Sequence, residues 1–242
     1  LVELIGTPFL LKIFTSAFPS LQPKIQSSRQ RITRDALYKA FMSQWFRKEE
    51  KKLIDSTKLT SMDLPKSFLN FSRSLAFAMY KASLNEVEYK DEDATCFPDD
   101  LQSSDQSPKP SIWQRWFSNK DEKTRTARQG CPLRSLGGTT FSFVHQSFLE
   151  YFVADMLWQA LLLKRGNPRM VEVLGARCLS KKPAMPVVMD FLVDRLMDRE
   201  DKEAATATES LFWLIENSKR EKTKDMKKDV LQFVQHAAAN AI

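Results

Sequence analysis

The sequence FSFVHQSFLEYFVA, residues Phe141–Ala154, decides the fold of this chain. Residues 139–144 are β-branched and aromatic, and they follow a Gly137-Gly138 pair typical of a turn, so a short strand is predicted there. After His145 the apolar side chains recur at helical spacing, which predicts a helix with a broad apolar face. That face comprises Phe148, Leu149, Phe152, Val153, Met156, Leu157, Ala160 and Leu161. The segment therefore predicts a strand that leads directly into a buried helix.

Helices are predicted through the N-terminal half. Only 6 of the 242 residues are glycine and 43% are hydrophobic, which favours helices over a turn-rich β fold. A hydroxyl cap at Thr7 followed by Pro8 predicts one helix start, Thr33 predicts a second, and Asp63 with Pro65 predicts a third. The first apolar stripe is Leu4, Pro8, Leu11 and Phe14, before a polar stretch over residues 22–31 that Pro23 interrupts. The next two stripes are Leu37, Tyr38, Phe41, Met42, Trp45 and Phe46, and then Phe68, Phe71, Ser72, Leu75, Ala76 and Met79.

The remaining segments differ in composition. Residues 91–107 hold six acids, no basic residue and few apolar ones, and they predict a disordered acidic insertion over about 91–110. Short helices are predicted over residues 112–117 and within 124–136, near a turn at residues 130–132. Longer helices are predicted over residues 170–179, 186–197 and 209–239, the last broken near Asn217. The fold class is thus mainly α with one small β element.

Several kinds of chemistry are excluded by the residues themselves. No glycine precedes a Lys-Ser/Thr pair and no G-x-G occurs, so the chain has neither a P-loop nor a dinucleotide motif. Cys96, Cys131 and Cys178 form no C-x-x-C pair, and with two histidines they predict no metal cluster but reduced intracellular thiols. No segment resembles a membrane span or a signal peptide. The chain begins at Leu1 within an apolar run, so we expect it to be part of something longer.

The junction before the buried helix carries the most informative polar residues. His145 comes where the strand meets the helix, and free N–H groups and the helix dipole favour an anion at such a point. Glu150 is one of few polar residues in the helix. The alternative is structural: His145 caps the helix and Glu150 meets a neighbouring arginine. The residues alone leave both interpretations open.

Three motifs in series resemble NACHT-type NTPases of the STAND class, the signalling ATPases that include NOD-like receptors. The pattern F-x-F-x-H-x-x-x-x-E-[FY]-F-x-A resembles the end of their winged-helix region and is matched at Phe141, Phe143, His145, Glu150, Tyr151, Phe152 and Ala154. LIGTPFLL, residues 4–11, is similar to the G-x-P motif of the lid that follows the nucleotide-binding core. Residues 32–46 resemble the first winged-helix segment of large fungal-type members, and residues 239–242 resemble a junction with C-terminal repeats.

The resemblance implies a domain organisation and a function. Residues 1–30 would be the end of the helical lid, 31–165 a winged-helix-like domain, and 166–242 a helical adaptor. Pro8 would pack on the adenine and His145 would contact the β-phosphate of bound ADP, with exchange for ATP opening the protein for homo-oligomerisation. The implied partners are an upstream nucleotide-binding core, which alone would supply Mg²⁺, and C-terminal repeats, in a cytoplasmic protein.

The departures and alternatives limit that expectation. The Walker A and Walker B motifs are missing, so this chain is not expected to hydrolyse ATP or to bind it tightly. VVMD, residues 187–190, resembles Walker B but has helical periodicity after two prolines. A net charge of +7 admits a nucleic-acid-binding winged helix, but the absence of Lys and Arg from residue 146 to 163 argues against it. A helical protein-interaction scaffold with a degenerate nucleotide site is the other alternative.

Overall fold

The structure, a computed structural model, is mainly helical with one small sheet. It describes residues 8–28, 32–57, 63–89, 113–118, 121–137, 139–165, 167, 169–170, 173, 186–197 and 202–217. The helices are α1 (Pro8–Ser28), α2 (Arg34–Thr57), α3 (Leu64–Ala82), α4 (Gln114–Phe117), α5 (Glu122–Gly130), α6 (Gln146–Leu161), α7 (Pro186–Leu196) and α8 (Lys202–Asn217). The strands are β1 (Glu86–Glu88), β2 (Leu133–Ser135) and β3 (Thr140–Phe143).

The predicted strand lies at the centre of a three-stranded antiparallel sheet of order β1-β3-β2. Strands β2 and β3 form a hairpin, in which the Leu136 N–H donates to the Thr140 carbonyl at 2.9 Å. Gly137 has a φ of 112°, a conformation that favours glycine, which explains the predicted turn. The prediction of a helix within residues 124–136 is right only up to Gly130, because Leu133–Ser135 pairs with β3 as a strand.

The sheet joins segments that are distant in the sequence. Strand β1 follows α3, the β2–β3 hairpin follows α5, and β1 pairs on the other edge of β3. The mainly helical fold class with one small β element is therefore confirmed, although two of the three strands were not predicted from the sequence.

Two of the three predicted helix caps are confirmed by hydrogen bonds, and the third, Thr7, lies outside the described residues. The Thr33 hydroxyl accepts from the Ala36 N–H at 3.2 Å, and the Asp63 carboxylate accepts from the Lys66 N–H at 3.2 Å. Pro8 begins α1 as its first helical residue, where its missing N–H costs nothing. These caps satisfy N–H groups that a helix cannot pair internally.

Helix α6 is the centre of the hydrophobic core. It packs against α3, α7 and α8, and 13 of its 16 residues are buried. All six residues of the stripe predicted for α3 are buried, and in α2 the buried members are Leu37, Tyr38, Met42 and Phe46. Buried residues from α2, α3 and α6 belong to one hydrophobic cluster. The sequence pattern therefore identified the core correctly in these helices.

The predicted course of α1 is wrong in two respects. The helix continues through Pro19 and Pro23 to Ser28 instead of breaking at Pro23. Its buried residues are Ile13 and Ala17, while Leu11, assigned to the apolar stripe, is exposed. The reason is that α1 packs on α2 along the 13–17 face, and this contact selects one of two apolar faces. Apolar spacing alone could not choose between them.

The C-terminal predictions are partly confirmed. Helix α7 agrees with the prediction over residues 186–197, and it includes the VVMD segment, so that segment is helical and not a Walker B strand. Helix α8 starts at Lys202 rather than at residue 209 and reaches Asn217. The acidic insertion, most of the helix predicted over 170–179 and residues 218–242 lie outside the described residues. Within the described ranges, no helix is both long and apolar enough to cross a membrane.

Candidate functional site

His145 lies at the N-terminus of α6, directly after β3. Its backbone is extended, and its Nδ1 accepts a hydrogen bond from the Ser147 N–H at 3.2 Å. The structural interpretation of His145 as a helix cap is therefore correct. The side chain is nevertheless exposed, so capping leaves the rest of the ring accessible.

A chain of hydrogen bonds sets the tautomer of His145. The Tyr38 hydroxyl donates to the Ser147 Oγ at 2.7 Å, and that Oγ lies 2.7 Å from the Nδ1 of His145. Because Nδ1 already accepts from the Ser147 N–H, the neutral ring carries its proton on Nε2. Partial burial, with Arg134 nearby, lowers the pKa of His145 below its usual value. At neutral pH the side chain is thus an uncharged imidazole that offers an Nε2–H donor.

Of the two site residues predicted from the sequence, His145 is in contact with Phe9, the residue that follows Pro8. The Phe9 ring stacks on the His145 ring with centroids 3.9 Å apart and planes 11° from parallel. Phe9 also meets Phe148 edge-on at 5.3 Å. The start of α1 therefore lies against the start of α6. We name the stacked rings of Phe9 and His145, next to the exposed Pro8 in the sequence, the imidazole face.

Arg134 is a basic group near the imidazole face that sequence reasoning missed. It lies in β2, donates from Nε to the Ser142 Oγ at 3.1 Å, and acts electrostatically on His145. A guanidinium near a neutral imidazole increases the attraction of this surface for an anion. The strand pairing of Leu133–Ser135 positions it, so a correct assignment of β2 would have found it.

Glu150 belongs to the core and not to the imidazole face. It is 8% exposed, and its carboxylate accepts from the Gln146 Nε2 at 3.2 Å. Burial raises its pKa, while Gln146 and the Arg34 charge act in the opposite direction. The adjacent Tyr151 and Phe152 are also buried. These positions stabilise the placement of α6, as expected of them.

Exposed basic residues bear on the prediction that nucleic acid is not a partner. The helix after His145, which has no Lys or Arg, is α6, and 13 of its 16 residues are buried. On α5, Lys123 and Arg125 are exposed together with Glu122. Arg128 instead donates to the Phe117 carbonyl. The exposed charges at the start of α5 are therefore mixed, and the expectation that nucleic acid is not a partner stays a prediction.

A buried ionic cluster joins α7 to the rest of the protein. Arg195 donates to Asp35 Oδ1 at 2.7 Å from Nε and to Asp155 Oδ1 at 2.6 Å from Nη1. Arg73 is a second partner of Asp155. Burial by itself raises the pKa of both carboxyls. Asp155 is paired with two arginines, which lower its pKa below the usual value, whereas Asp35 is paired with Arg195 alone and its pKa stays raised. The ion pairs of the cluster connect four helices, α2, α3, α6 and α7.

Comparison with known proteins adds no family to this description. No family model, no curated protein and no solved structure matches the chain. Among the described residues, no group of three or more His, Cys, Asp and Glu side chains is placed to hold a metal ion. The chemistry that the imidazole face offers is hydrogen bonding by His145, stacking on Phe9 and the positive charge of the nearby Arg134.

Proposed function

We propose that this chain is the regulatory part of a nucleotide-dependent signalling switch, in which it senses whether ADP or ATP is bound. The observation that carries the proposal is the contact between Phe9 and His145, which joins the predicted lid to the predicted winged helix. Phe9 and His145 are 136 positions apart in the sequence, yet their rings stack, and Pro8 directly precedes Phe9. A ligand that touches both would hold α1 and α6 in one arrangement.

The proposed mechanism uses the neutral imidazole. The Nε2–H of His145 donates to a β-phosphate oxygen of ADP, while Pro8 packs on the adenine. One such hydrogen bond to a charged group is worth about 1.5–3 kcal/mol. This is within the range of roughly 1–3 kcal/mol that couples two sites in an allosteric protein. Exchange of ADP for ATP would weaken this bridge and release the lid from the winged helix.

The proposal requires partners beyond the chain. An upstream core would hold the phosphates and Mg²⁺, because the sequence contains no P-loop. C-terminal repeats would be a further partner, and release of the bridge would permit homo-oligomerisation in the cytoplasm. This chain alone is then not expected to hydrolyse ATP or to bind it tightly.

The test compares two substitutions of His145 in the full-length protein that contains the core. His145→Ala removes both the cap and the Nε2–H. His145→Asn keeps a side-chain oxygen that can cap α6 but places no donor at the Nε2 position. We expect both variants to bind ADP about tenfold more weakly by calorimetric titration and to show higher basal activation, whereas only His145→Ala should be clearly less stable.

Three outcomes would contradict the proposal. If His145→Asn restored the ADP affinity that His145→Ala lost, the residue would act only as a cap. Unchanged affinity in both variants would remove His145 from the nucleotide site and leave the helical interaction scaffold as the better description. Micromolar binding of ADP to the 242-residue chain would show that its phosphate site lies within these residues.

A further inference from the structure

A groove of about 700 Å³ lies between α3, α4, α5 and α6, on residues other than those of the imidazole face. Ligand sites in proteins commonly measure roughly 300–1,000 Å³, so a small organic molecule fits this volume. Helix α3 lines one wall, α6 lines another, and the start of α5 lies at the edge. We call this feature the basic groove because four basic residues line it.

Positive charge distinguishes the basic groove. Arg73, Arg115, Lys123 and Arg169 line it, and none of the described lining residues is acidic. Arg73 is neutralised by Asp155. Arg115, Lys123 and Arg169 are exposed and form no ion pair within the described part of the chain. Asp121, two residues before Lys123, caps α5: its carboxylate accepts from the Lys123 and Thr124 N–H groups.

Three other arginines of the described chain form ion pairs. Arg34 pairs with Asp190, Arg195 with Asp35 and Asp155, and Arg165 with Glu209. Three cations that share one concavity without such partners repel one another. Binding of an anion would relieve this repulsion, and the concave wall shields the pair from water more than a flat surface does.

The remaining lining is suited to the organic part of a ligand. Trp116, Met156 and Leu163 supply apolar surface, and Asn70 and Gln159 supply neutral donors and acceptors. The Trp116 indole is held by a hydrogen bond from Nε1 to the Ser74 Oγ at 3.1 Å, and the Arg115 guanidinium lies 5.1 Å from its ring centroid. An aromatic wall beside unpaired guanidinium groups matches a flat ring that carries an anionic group.

We propose that the basic groove binds a small organic phosphate monoester with an apolar or aromatic body. Such a monoester carries a charge of about −1.5 to −2 at neutral pH, as a phosphorylated side chain does, which three cations can neutralise. Arginine forms paired hydrogen bonds with phosphate oxygens, and two of the three cations are arginines. A duplex nucleic acid fits less well, because it requires a protruding basic helix, and α5 begins with Asp121 and Glu122 beside Lys123.

The probe is 1-naphthyl phosphate, titrated calorimetrically into the 242-residue chain at physiological salt. We expect a Kd below about 1 mM, at least tenfold tighter than for 1-naphthol or for inorganic phosphate. A Kd above about 1 mM, or an advantage over either component of less than tenfold, would overturn the proposal. His145→Ala should leave the Kd unchanged, and loss of binding in that variant would assign the ester to the imidazole face instead.

Matched variants locate the binding. Gln159→Glu places a negative charge in the basic groove with little change of volume, and Gln129→Glu makes the same change at an exposed position of α5 outside it. We expect the Kd to rise tenfold or more in the first and less than twofold in the second. Equal effects would mean a diffuse electrostatic attraction and would refute the site. Displacement of the probe by submicromolar duplex DNA would also refute it, in favour of nucleic acid.

Neither Gln159→Glu nor Gln129→Glu is expected to change the fold. Gln159 and Gln129 are both exposed, so neither substitution buries a charge. Equal thermal midpoints by circular dichroism would show that both variants keep the fold. Lys123→Gln and Arg125→Gln provide a second pair on α5, of which only Lys123 lines the groove. Tenfold weakening should follow Lys123→Gln alone.

Discussion

Replacement of Arg195 by methionine tests the buried ionic cluster most directly. The Arg195 side chain is 8% exposed, and two carboxylates accept from it at 2.6–2.7 Å. Methionine keeps much of the volume but leaves Asp35 without its cation, while Asp155 retains Arg73. Removal of one partner from a buried ion pair costs about 3–5 kcal/mol, because a charge stays buried and uncompensated.

That cost corresponds to a large change in thermal stability. For a chain of this size, 1 kcal/mol shifts the unfolding midpoint by about 2–4 °C, so Arg195→Met should lower it by about 6–20 °C. The control is Arg165→Met, which breaks an exposed ion pair: the Arg165 side chain is 50% exposed and that of Glu209 is 63% exposed. An exposed pair contributes at most about 1 kcal/mol, and the control should change the midpoint by only a few degrees. Thermal unfolding followed by circular dichroism measures both.

The pH dependence identifies the cause of the loss. Burial already raises the pKa of Asp35, and without Arg195 it should rise further. A carboxyl with a raised folded pKa stabilises the folded state at low pH and loses that contribution as pH rises. The deficit of Arg195→Met should therefore be smaller at pH 5 than at pH 7. Adding Asp35→Asn, which removes the buried charge, should recover part of the lost stability.

Two results would refute this reasoning. A loss below 1 kcal/mol at pH 7, equal to that of the exposed control, would show that the cluster contributes little. An unchanged deficit between pH 5 and pH 7, together with no recovery in the double variant, would mean that Arg195 acts through its guanidinium contacts with aromatic rings and not through its ion pairs. The guanidinium carbon lies 5.7 Å from the Tyr151 ring centroid and 5.9 Å from that of Trp158.

Three further predictions concern single positions. Gly130→Ala should cost about 1–3 kcal/mol in urea unfolding, because the new Cβ would overlap the fully buried Phe68 ring, whereas Gln129→Ala should have no measurable effect. Cys131, whose pKa burial raises to about 12, should resist a thiol reagent at pH 8 until the protein unfolds; rapid reaction when the other two cysteines are serine would contradict its burial. The pKa of His145 is lowered from 6.5, so its contribution to the free energy of unfolding should be complete above pH 6.5 and lost as the pH falls. The urea midpoint between pH 7.5 and pH 5 measures this loss, and His145→Asn should abolish the part that His145 contributes.

Local patterns in the sequence predicted the helices and much of the core. The stripe of α3 from Phe68 to Met79 is buried as predicted, and the caps at Thr33 and Asp63 begin their helices as predicted. These features depend on neighbours three or four residues away, so apolar spacing and capping residues are sufficient to identify them. The turn at Gly137 belongs to the same category, since it needs one residue with a positive φ.

Short strands and the choice of packing face were not predictable in that way. Strands β1 and β2 have three residues each, too few for an alternating pattern, and they exist because β3 pairs with both. Helix α1 has apolar residues on more than one side, and contact with α2 selected Ile13 and Ala17 over Leu11. In both cases a partner distant in sequence supplies the stabilising contact.

The candidate sites likewise contain residues that the sequence could identify and contacts that it could not. Pro8 and His145 could be singled out from the sequence, because each occupies a helix start within a recognisable motif. The stacking of Phe9 on His145, the Arg195–Asp35 pair across 160 positions, and the cations of the basic groove could not. Helical periodicity assigns residues to faces within one element, whereas the distance between elements depends on which faces pack together. The sequence therefore specified the helices and their caps, and the packing of those helices created the surfaces on which ligands could bind.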